Sequence, residues 1–187
     1  ENTLSPSAGS NGSVSPAGST LLQDGLSQTY SITPTIGYNI ADVLVDCQSV
    51  GAVSSYNFTS VDRPHTISAS FAIQTFALNA SAGSGGTISP NGLTTVNYGT
   101  AQAYTITPNT GYHIVDVLVD GGSVGAVGSY TFSNVTAAHT ISATFAINTY
   151  GITASAGSGG SVSPSGVTTV NYGGSQAYTI TPTTGYH

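Results

Sequence analysis

The stretch Gly111–Val127, with the sequence GYHIVDVLVDGGSVGAV, decides the fold of this chain. The valines at 115, 117 and 119 are predicted to fall on one face of a strand, because side chains along a strand alternate with period two. Asp116 and Asp120 then fall on the other face. Asp120-Gly121-Gly122 offers residues that tolerate positive φ, as a two-residue hairpin turn requires, and Ser123–Val127 is predicted to run back. The stretch therefore predicts a β-hairpin.

The hairpin belongs to a long internal repeat. It recurs as GYNIADVLVDCQSVGAV at Gly37–Val53, and the glycine-rich SAGSNG at Ser7–Gly12 returns as SAGSGG at Ser81–Gly86 and Ser155–Gly160. The period is 74 residues throughout. We therefore predict repeat units at residues 1–74 and 75–148, and the first half of a third unit at 149–187. Because this period exceeds the roughly 20–50 residues of solenoid repeats, each unit is expected to have its own core.

The predicted fold class is all-β. No window shows the 3.6-residue apolar period of a helix, whereas runs such as Ile141, Ala143, Phe145 and Ile147 alternate strictly. We expect tandem small β modules, β-grasp-like or open sandwiches, arranged as beads in a rod. The junctions Gln74-Thr75 and Asn148-Thr149 contain neither glycine nor proline, so successive modules are expected to be held at a fixed angle.

The charge composition excludes several partners. Only 4% of residues are charged, and Arg63 is the only basic side chain besides the histidines. Nucleic-acid binding and electrostatic attachment to anionic lipid both depend on clusters of basic residues. No apolar run approaches the roughly 18 residues of a membrane span. The chain begins at Glu1 rather than methionine, and we expect any secretion signal to have been removed or to lie outside this sequence.

Several segments together carry a family resemblance. They are VDVLVDG at Val115–Gly121, SYTFSNVTAAHTISATFA at Ser129–Ala146, ITASAGSGGSVSPSG at Ile152–Gly166 and VNYGGSQAYTITPTTGYH at Val170–His187. In order and spacing they resemble the divergent branch of the internalin B-repeat family. The resemblance implies β-grasp-like modules in a secreted or surface-anchored protein, and it brings no catalytic residues.

Metal and catalytic sites are not expected. Asp116 and Asp120 suggest calcium, but carboxylates four apart on one strand lie about 13 Å from each other. Calcium holds its oxygen ligands at about 2.3–2.6 Å. His65 and His139 are one position in two copies, and the four histidines show no metal-binding spacing. We therefore predict no metal site, no cofactor and no enzyme activity.

Four residues remain as candidates for modification or partner contact. Asn57 and Asn134 match the N-glycosylation pattern, and we interpret them as corresponding positions of two copies. Tyr112 is a candidate partner contact, because the repeated tyrosines offer either sugar-stacking platforms or half-buried core. Cys47, the only cysteine, replaces a turn glycine and could crosslink two chains.

The sequence favours a structural function outside the cell or at its surface. Tandem β modules with almost no linker suggest a stalk or spacer, or the body of an extracellular fibre. The alternative is an adhesion or carbohydrate-binding module, with glycans as partners. The incomplete third unit is expected to leave Ile152, Val170 and Ile180 poorly buried and its strand edges unpaired. We therefore expect neighbouring repeats or identical chains to pair through exposed strand edges.

Overall fold

A computed structural model describes all residues from Glu1 to His187, and every regular element in it is a β-strand. The predicted all-β class is confirmed. By its internal contacts the chain divides into two compact units. The first comprises residues 1–76, 95–102 and 133–138, and the second comprises residues 77–94, 103–132 and 139–187. Each unit is described by itself.

The strands follow the 74-residue period. The first copy contains β1 Asn2–Ala8, β2 Gly12–Ser15, β3 Thr20–Leu22, β4 Gln28–Pro34, β5 Tyr38–Val45, β6 Gln48–Gly51, β7 Ser55–Phe58 and β8 His65–Ile73. The second contains β9 Thr75–Ala82, β10 Gly86–Ser89, β11 Gly92–Asn97, β12 Gln102–Pro108, β13 Tyr112–Val119, β14 Gly122–Ser123, β15 Ser129–Phe132 and β16 His139–Ile147. The third contains β17 Thr149–Ala154, β18 Gly160–Ser163, β19 Gly166–Asn171 and β20 Thr179–Pro182.

Each complete repeat contains two sheets. In the first repeat a five-stranded sheet has the order β3-β1-β8-β5-β6, and a three-stranded sheet has the order β2-β4-β7. The second repeat reproduces both orders as β11-β9-β16-β13-β14 and β10-β12-β15. At the centre of each large sheet the first and last strands are parallel, and β3, β5 and β13 pair antiparallel with β1, β8 and β16 respectively. This is the β-grasp-like arrangement that the resemblance implies, with a small second sheet and no helix.

The core of the first repeat lies between its two sheets. Tyr30 and Ile32 of β4 are buried, whereas Thr29 and Ser31 are exposed, as alternation requires. The buried apolar cluster draws on both sheets and comprises Leu4, Val14, Tyr30, Ile32, Val43, Val45, Phe58, Val61, Ile67 and Ala69. Fully burying a side chain of this kind contributes about 1.5–3 kcal/mol relative to exposure. In the second repeat the matching positions Leu78, Tyr104, Ile106, Val117 and Ile141 are buried as well.

The predicted hairpin is present, but the predicted direction of one side chain, that of Val115, is wrong. Leu118 pairs with Ser123 and Val119 with Gly122, and the turn residues Asp120 and Gly121 have φ of 49° and 81°. The prediction for Val115 is wrong, because Val115 is 51% exposed. A β-bulge between Ile114 and Asp116 makes Val115 an extra residue in the pairing with β16. The side chains before the bulge therefore alternate in the opposite sense to those after it. Ala41 holds the corresponding position in the first repeat, where the same bulge occurs.

The third repeat forms only two-stranded sheets, β17-β19 and β18-β20. Ile152 is 39% exposed and Ile180 is 78% exposed, which confirms the expected poor burial of these two side chains. Their counterparts Leu78 and Ile106 in the second repeat are 0% and 3% exposed. The difference arises because the hairpin and the last strand that cover these positions in a complete repeat are not part of residues 149–187.

Candidate functional site: terminal strand pairs and boundary joints

The first and last strands of each complete repeat form what we call the terminal strand pair, β1 with β8 and β9 with β16. β1 and β8 pair in parallel over five residues, from Leu4 opposite His65 to Ala8 opposite Ala69, and β9 and β16 pair in the same register. A further bond follows each pair, from the Gly9 N–H to the Ala69 carbonyl at 2.9 Å. The chain enters a repeat through the first strand and leaves through the last. Tension on the two ends of a repeat therefore reaches this pair directly.

The direction of the two strands decides how they respond to tension. Because they are parallel, forces at the start of one and the end of the other act in opposite directions along the strand axes. All hydrogen bonds between them are then loaded together in shear, whereas a force applied at one end of the pair would break them one after another. The resistance of the pair to force therefore depends on the direction in which the force acts.

A histidine–aspartate contact fixes the start of the last strand. The Asp46 carboxylate lies in the hairpin turn and contacts His65 Nδ1 at 2.7 Å, while its other oxygen accepts the Thr66 N–H at 2.9 Å. The His65 ring also lies beside Phe58, with centroids 5.0 Å apart. The backbone hydrogen bond from Thr66, followed by the bond from His65, lowers the pKa of Asp46 below its ordinary value.

The second repeat contains the same contact. Asp120 lies 2.7 Å from His139 Nδ1 and accepts the Thr140 N–H at 2.8 Å, and the His139 ring stacks on Phe132. The Thr140 backbone bond, followed by His139, lowers the pKa of Asp120. Both histidine–aspartate contacts therefore tie the hairpin turn to the terminal strand pair of their repeat. They give Asp46 and Asp120 a structural role.

Asp116 has a structural role of its own. Its carboxylate accepts hydrogen bonds from Val117 N–H at 2.9 Å, Ser123 Oγ at 2.7 Å and Gly125 N–H at 3.1 Å. These bonds hold the returning arm of the hairpin, where regular pairing ends after two residues. No group of three histidine, cysteine, aspartate or glutamate side chains is placed to hold a metal ion.

The first boundary joint consists of Gly37, Gln74 and Tyr98, all within the first compact unit. Gln74 is the single residue between β8 and β9. Its N–H donates to the Gly37 carbonyl at 2.8 Å, and its carbonyl accepts the Tyr98 N–H at 2.8 Å. The Tyr98 ring lies so closely over Gly37 that a Cβ there would come within 2.5 Å of it. The junction backbone is thus bonded on both sides.

The second boundary joint consists of Gly111, Asn148 and Tyr172, all within the second compact unit. The Asn148 N–H donates to the Gly111 carbonyl at 2.7 Å, and the Asn148 carbonyl accepts the Tyr172 N–H at 2.7 Å. The Tyr172 ring lies over Gly111, which has φ of 82°. Asn148 Oδ1 also contacts His113 Nδ1 at 2.8 Å, so its side chain helps to hold the joint.

The first repeat lacks the aromatic half of such a joint. Phe76 lies beside Tyr98 in the second repeat, with ring centroids 6.3 Å apart. The corresponding positions in the first repeat hold Asn2 and Asp24, and the Asn2 amide donates to Asp24 Oδ1 at 2.8 Å. A polar pair therefore replaces the aromatic pair at this end of the first repeat.

The tyrosines proposed from sequence lie in different environments. Tyr30 and Tyr104 are 0% and 1% exposed, so they belong to the core. Their rings are therefore not accessible for stacking against a sugar. Their hydroxyl groups have no hydrogen-bond partner. The Tyr112 ring is half-buried and lies over Gly85. Partner contact by Tyr112 stays a prediction.

The remaining candidates lie at the surface. Cys47 is exposed in the hairpin turn with φ of 67°. Asn57 is exposed on β7, where its side chain accepts a bond from Thr29 Oγ1 at 3.0 Å. Asn134 is exposed in the loop after β15. Their interpretation as corresponding positions is wrong, since a shift of the period from Asn57 leads to Thr131. Glycosylation of either stays a prediction.

Sequence reasoning missed the boundary joints. The signal was present, because a Gly-Tyr pair recurs at Gly37, Gly111 and Gly185, and VNYG recurs at Val96–Gly99 and Val170–Gly173. Each motif taken by itself indicates only a turn or a strand end. Only the structure shows that the tyrosine of one motif covers the glycine of the other.

Two complete copies of a mixed β-sheet module, each with a parallel terminal strand pair, define a tandem β-repeat protein. A model of the divergent InlB B-repeat domain matches residues 2–75 and again residues 76–149. The chain belongs to this family. No curated protein and no solved structure matches the chain. None of its elements is a helix with the length and hydropathy of a membrane span.

Proposed function

We propose that this chain is a non-catalytic structural region of a secreted or cell-surface protein, where it carries tension as a stalk or spacer or within the body of an extracellular fibre. The observation that carries the proposal is the parallel pairing of β1 with β8 and of β9 with β16. Strands in this arrangement resist end-to-end force through several hydrogen bonds at once.

The boundary joints support the same function. Only Gln74 separates β8 from β9, and only Asn148 separates β16 from β17. Force leaving one terminal strand pair is therefore delivered to the next strand without a flexible linker. The bonds of each joint residue to a glycine before it and a tyrosine after it hold that short connection in place.

The surface composition suits an extracellular location. The exposed positions of β10 and β12 include Thr87, Ser89, Thr105 and Thr107, which face one another as Thr87–Thr107 and Ser89–Thr105. Hydroxyl side chains of this kind keep a strand hydrated without charge. With a single arginine and no lysine, the chain also offers trypsin-like proteases very few sites.

The proposal is tested by stretching the whole 187-residue chain between its two ends in a single-molecule instrument. We expect two separate unfolding events, each releasing one repeat of 74 residues. The fully extended length of such a repeat is about 250 Å at about 3.3–3.6 Å per residue, and each step is this length less the end-to-end distance of the folded repeat. A single cooperative event, or gradual extension at low force, would contradict a tension-bearing function. A glycan array with the same chain tests the alternative, since selective glycan binding would instead favour an adhesion or carbohydrate-binding module.

A further inference from the structure

The chain contains two Asn-Gly pairs, Asn11-Gly12 and Asn91-Gly92. In such a pair the backbone nitrogen of the glycine can attack the side-chain amide of the asparagine. Glycine favours this attack because it has no side chain to shield its nitrogen and because its backbone rotates freely. The two groups meet only if the backbone around them can move, so the fold decides whether the reaction takes place.

The pair Asn91-Gly92 lies in an exposed turn between β10 and β11. β10 ends at Ser89 and β11 begins at Gly92, and the side chain of Asn91 is exposed between them. Gly92 has φ of 78°, and a Cβ on this residue would have no atom within 4 Å. Both reacting groups therefore have room to approach each other.

The turn itself does not require an asparagine. The residue corresponding to Asn91 is Ala17 in the first repeat and Ser165 in the third, and each is followed by a glycine. The three glycines have φ of 79°, 78° and 84°, and all three have open space around them. Since alanine, serine and asparagine all occupy this turn, the amide of Asn91 is not needed to hold it.

The pair Asn11-Gly12 is held in place on both sides. The Asn11 carbonyl accepts the Thr35 N–H at 2.9 Å, and Gly12 lies opposite Pro34 in the pairing of β2 with β4. The ring of Phe71 occupies the space directly over Gly12. A ring closing between Asn11 and Gly12 would turn the peptide group that joins them. It would thus break the Thr35 bond and move Gly12 from beneath Phe71.

We propose that Asn91-Gly92 is a site of spontaneous deamidation and that the fold protects the chemically identical pair Asn11-Gly12. A bond forms between the Gly92 nitrogen and Asn91 Cγ, and the bond from Cγ to Nδ2 breaks. Nδ2 leaves as ammonia with the proton of the Gly92 N–H, and a cyclic imide remains. Water then opens the imide at the Cγ carbonyl to give aspartate, or at the backbone carbonyl to give isoaspartate. In isoaspartate the main chain runs through the former side chain.

The product changes the charge of the second repeat. Asp116 and Asp120 are the only charged side chains in residues 75–148, and β11 is the outermost strand of its sheet. The new carboxylate adds a negative charge immediately before this edge strand. Charged side chains at a sheet edge oppose its pairing with another strand. Because ammonia is released, the change accumulates with the age of the chain.

The rates of the two pairs in one sample test this proposal. The 187-residue chain is incubated at mildly alkaline pH, once folded and once in urea, and fragmentation mass spectrometry measures amide loss at each asparagine. In the folded chain Asn91 should react at least about tenfold faster than Asn11, which corresponds to a local opening cost of about 1.4 kcal/mol at Asn11. In urea the two should react at similar rates. Equal rates in the folded chain, or a difference that persists in urea, would overturn the proposal.

Two variants complete the test. Asn91→Ser copies the third repeat, so it should abolish the rapid amide loss without changing thermal unfolding. Ala17→Asn creates an Asn-Gly pair in the corresponding turn of the first repeat, where Gly18 also has open space around it. Residue 17 should then lose its amide at a rate similar to that of Asn91. Failure of either position to react within the time that the unfolded chain needs for complete reaction would overturn the proposal.

Discussion

The ring of Tyr98 lies directly over Gly37, so that a Cβ on residue 37 would come within 2.5 Å of it. These two residues are 61 positions apart and belong to consecutive copies of the repeat. The same relationship links Tyr172 and Gly111. A glycine is required here for two reasons, since its φ is positive and the space above it is taken by an aromatic ring. The joint therefore depends on one glycine and one tyrosine in each case.

Substitution of the joint glycine provides the first prediction. Gly111→Ala should destabilise the chain both through its φ of 82° and through overlap with the Tyr172 ring. Gly121→Ala is the matched control, because Gly121 has φ of 81° with open space around it. An alanine in this left-handed backbone conformation costs about 1–2 kcal/mol at either position. Because of the additional overlap with the Tyr172 ring, Gly111→Ala should lower the free energy of unfolding by at least about 1 kcal/mol more than Gly121→Ala does. Urea unfolding measures both, and equal losses would contradict the close packing of the joint.

The second prediction concerns the terminal strand pair. Leu78 on β9 is 0% exposed, so Leu78→Ala should cost about 2–5 kcal/mol through lost burial and a cavity. Leu93→Ala is the control, since Leu93 is 71% exposed, and its effect should stay within about 0.5 kcal/mol. Thermal unfolding followed by circular dichroism distinguishes the two. Similar small effects would show that β9 does not form part of a packed core.

The third prediction concerns the buried hydroxyl groups. Tyr104 is 1% exposed and its hydroxyl has no hydrogen-bond partner. Leaving a buried polar group unpaired costs about 1–3 kcal/mol, so Tyr104→Phe should be neutral or raise the free energy of unfolding by up to about 1 kcal/mol. Tyr30→Phe should behave in the same way in the first repeat. A loss of more than about 1 kcal/mol in either variant would mean that the hydroxyl is bonded after all.

The fourth prediction concerns acid. The pKa of Asp120 is lowered in the folded chain by the Thr140 N–H and His139, so the unfolded chain binds a proton at higher pH than the folded chain does. The contribution of Asp120 to the free energy of unfolding is therefore fully present above its ordinary pKa of 3.8. It is lost as the pH falls through the lower pKa of the folded chain. Asp46 behaves alike. Asp120→Asn should flatten the fall in melting temperature below about pH 4. An unchanged acid profile in Asp120→Asn would contradict the lowered pKa.

Much of the local structure could be predicted from residue type. The turn at Asp120-Gly121 was predictable because few residues tolerate positive φ, and the buried face of β4 was predictable because Tyr30 and Ile32 alternate with hydroxyl side chains. The exposure of Val115 was not, since the bulge is set by pairing with β16 rather than by the sequence of β13. The only local indication that this position is exposed was that the other copy has Ala41 where this copy has Val115.

The features that support the proposed function depend on long-range pairing. Leu4 lies opposite His65, and no alternation within either strand tells which strands become neighbours or whether they run parallel. The boundary joint was hidden for the same reason, because a Gly-Tyr pair has an adequate explanation as a turn by itself. Copies of a repeat reveal which positions recur, but contact between two recurring positions is a property of the folded chain.

The most direct test of the account compares two directions of force on the same terminal strand pair. Cysteine anchors replace exposed residues in a Cys47→Ser background, with Thr75→Cys at the start of β9 in both variants. The second anchor is Thr149→Cys, just after β16, in the shear variant and Ala138→Cys, just before β16, in the other. In the first variant the parallel strands are pulled in opposite directions along their length, and in the second they are separated from one end.

At equal loading rate we predict that the Thr75/Thr149 variant unfolds at a force several times higher than the Thr75/Ala138 variant. Forced unfolding reports the barrier along the pulled direction, and only the first direction loads all bonds between β9 and β16 together. Equal unfolding forces in the two variants would contradict the claim that the terminal strand pair is what allows this chain to carry tension.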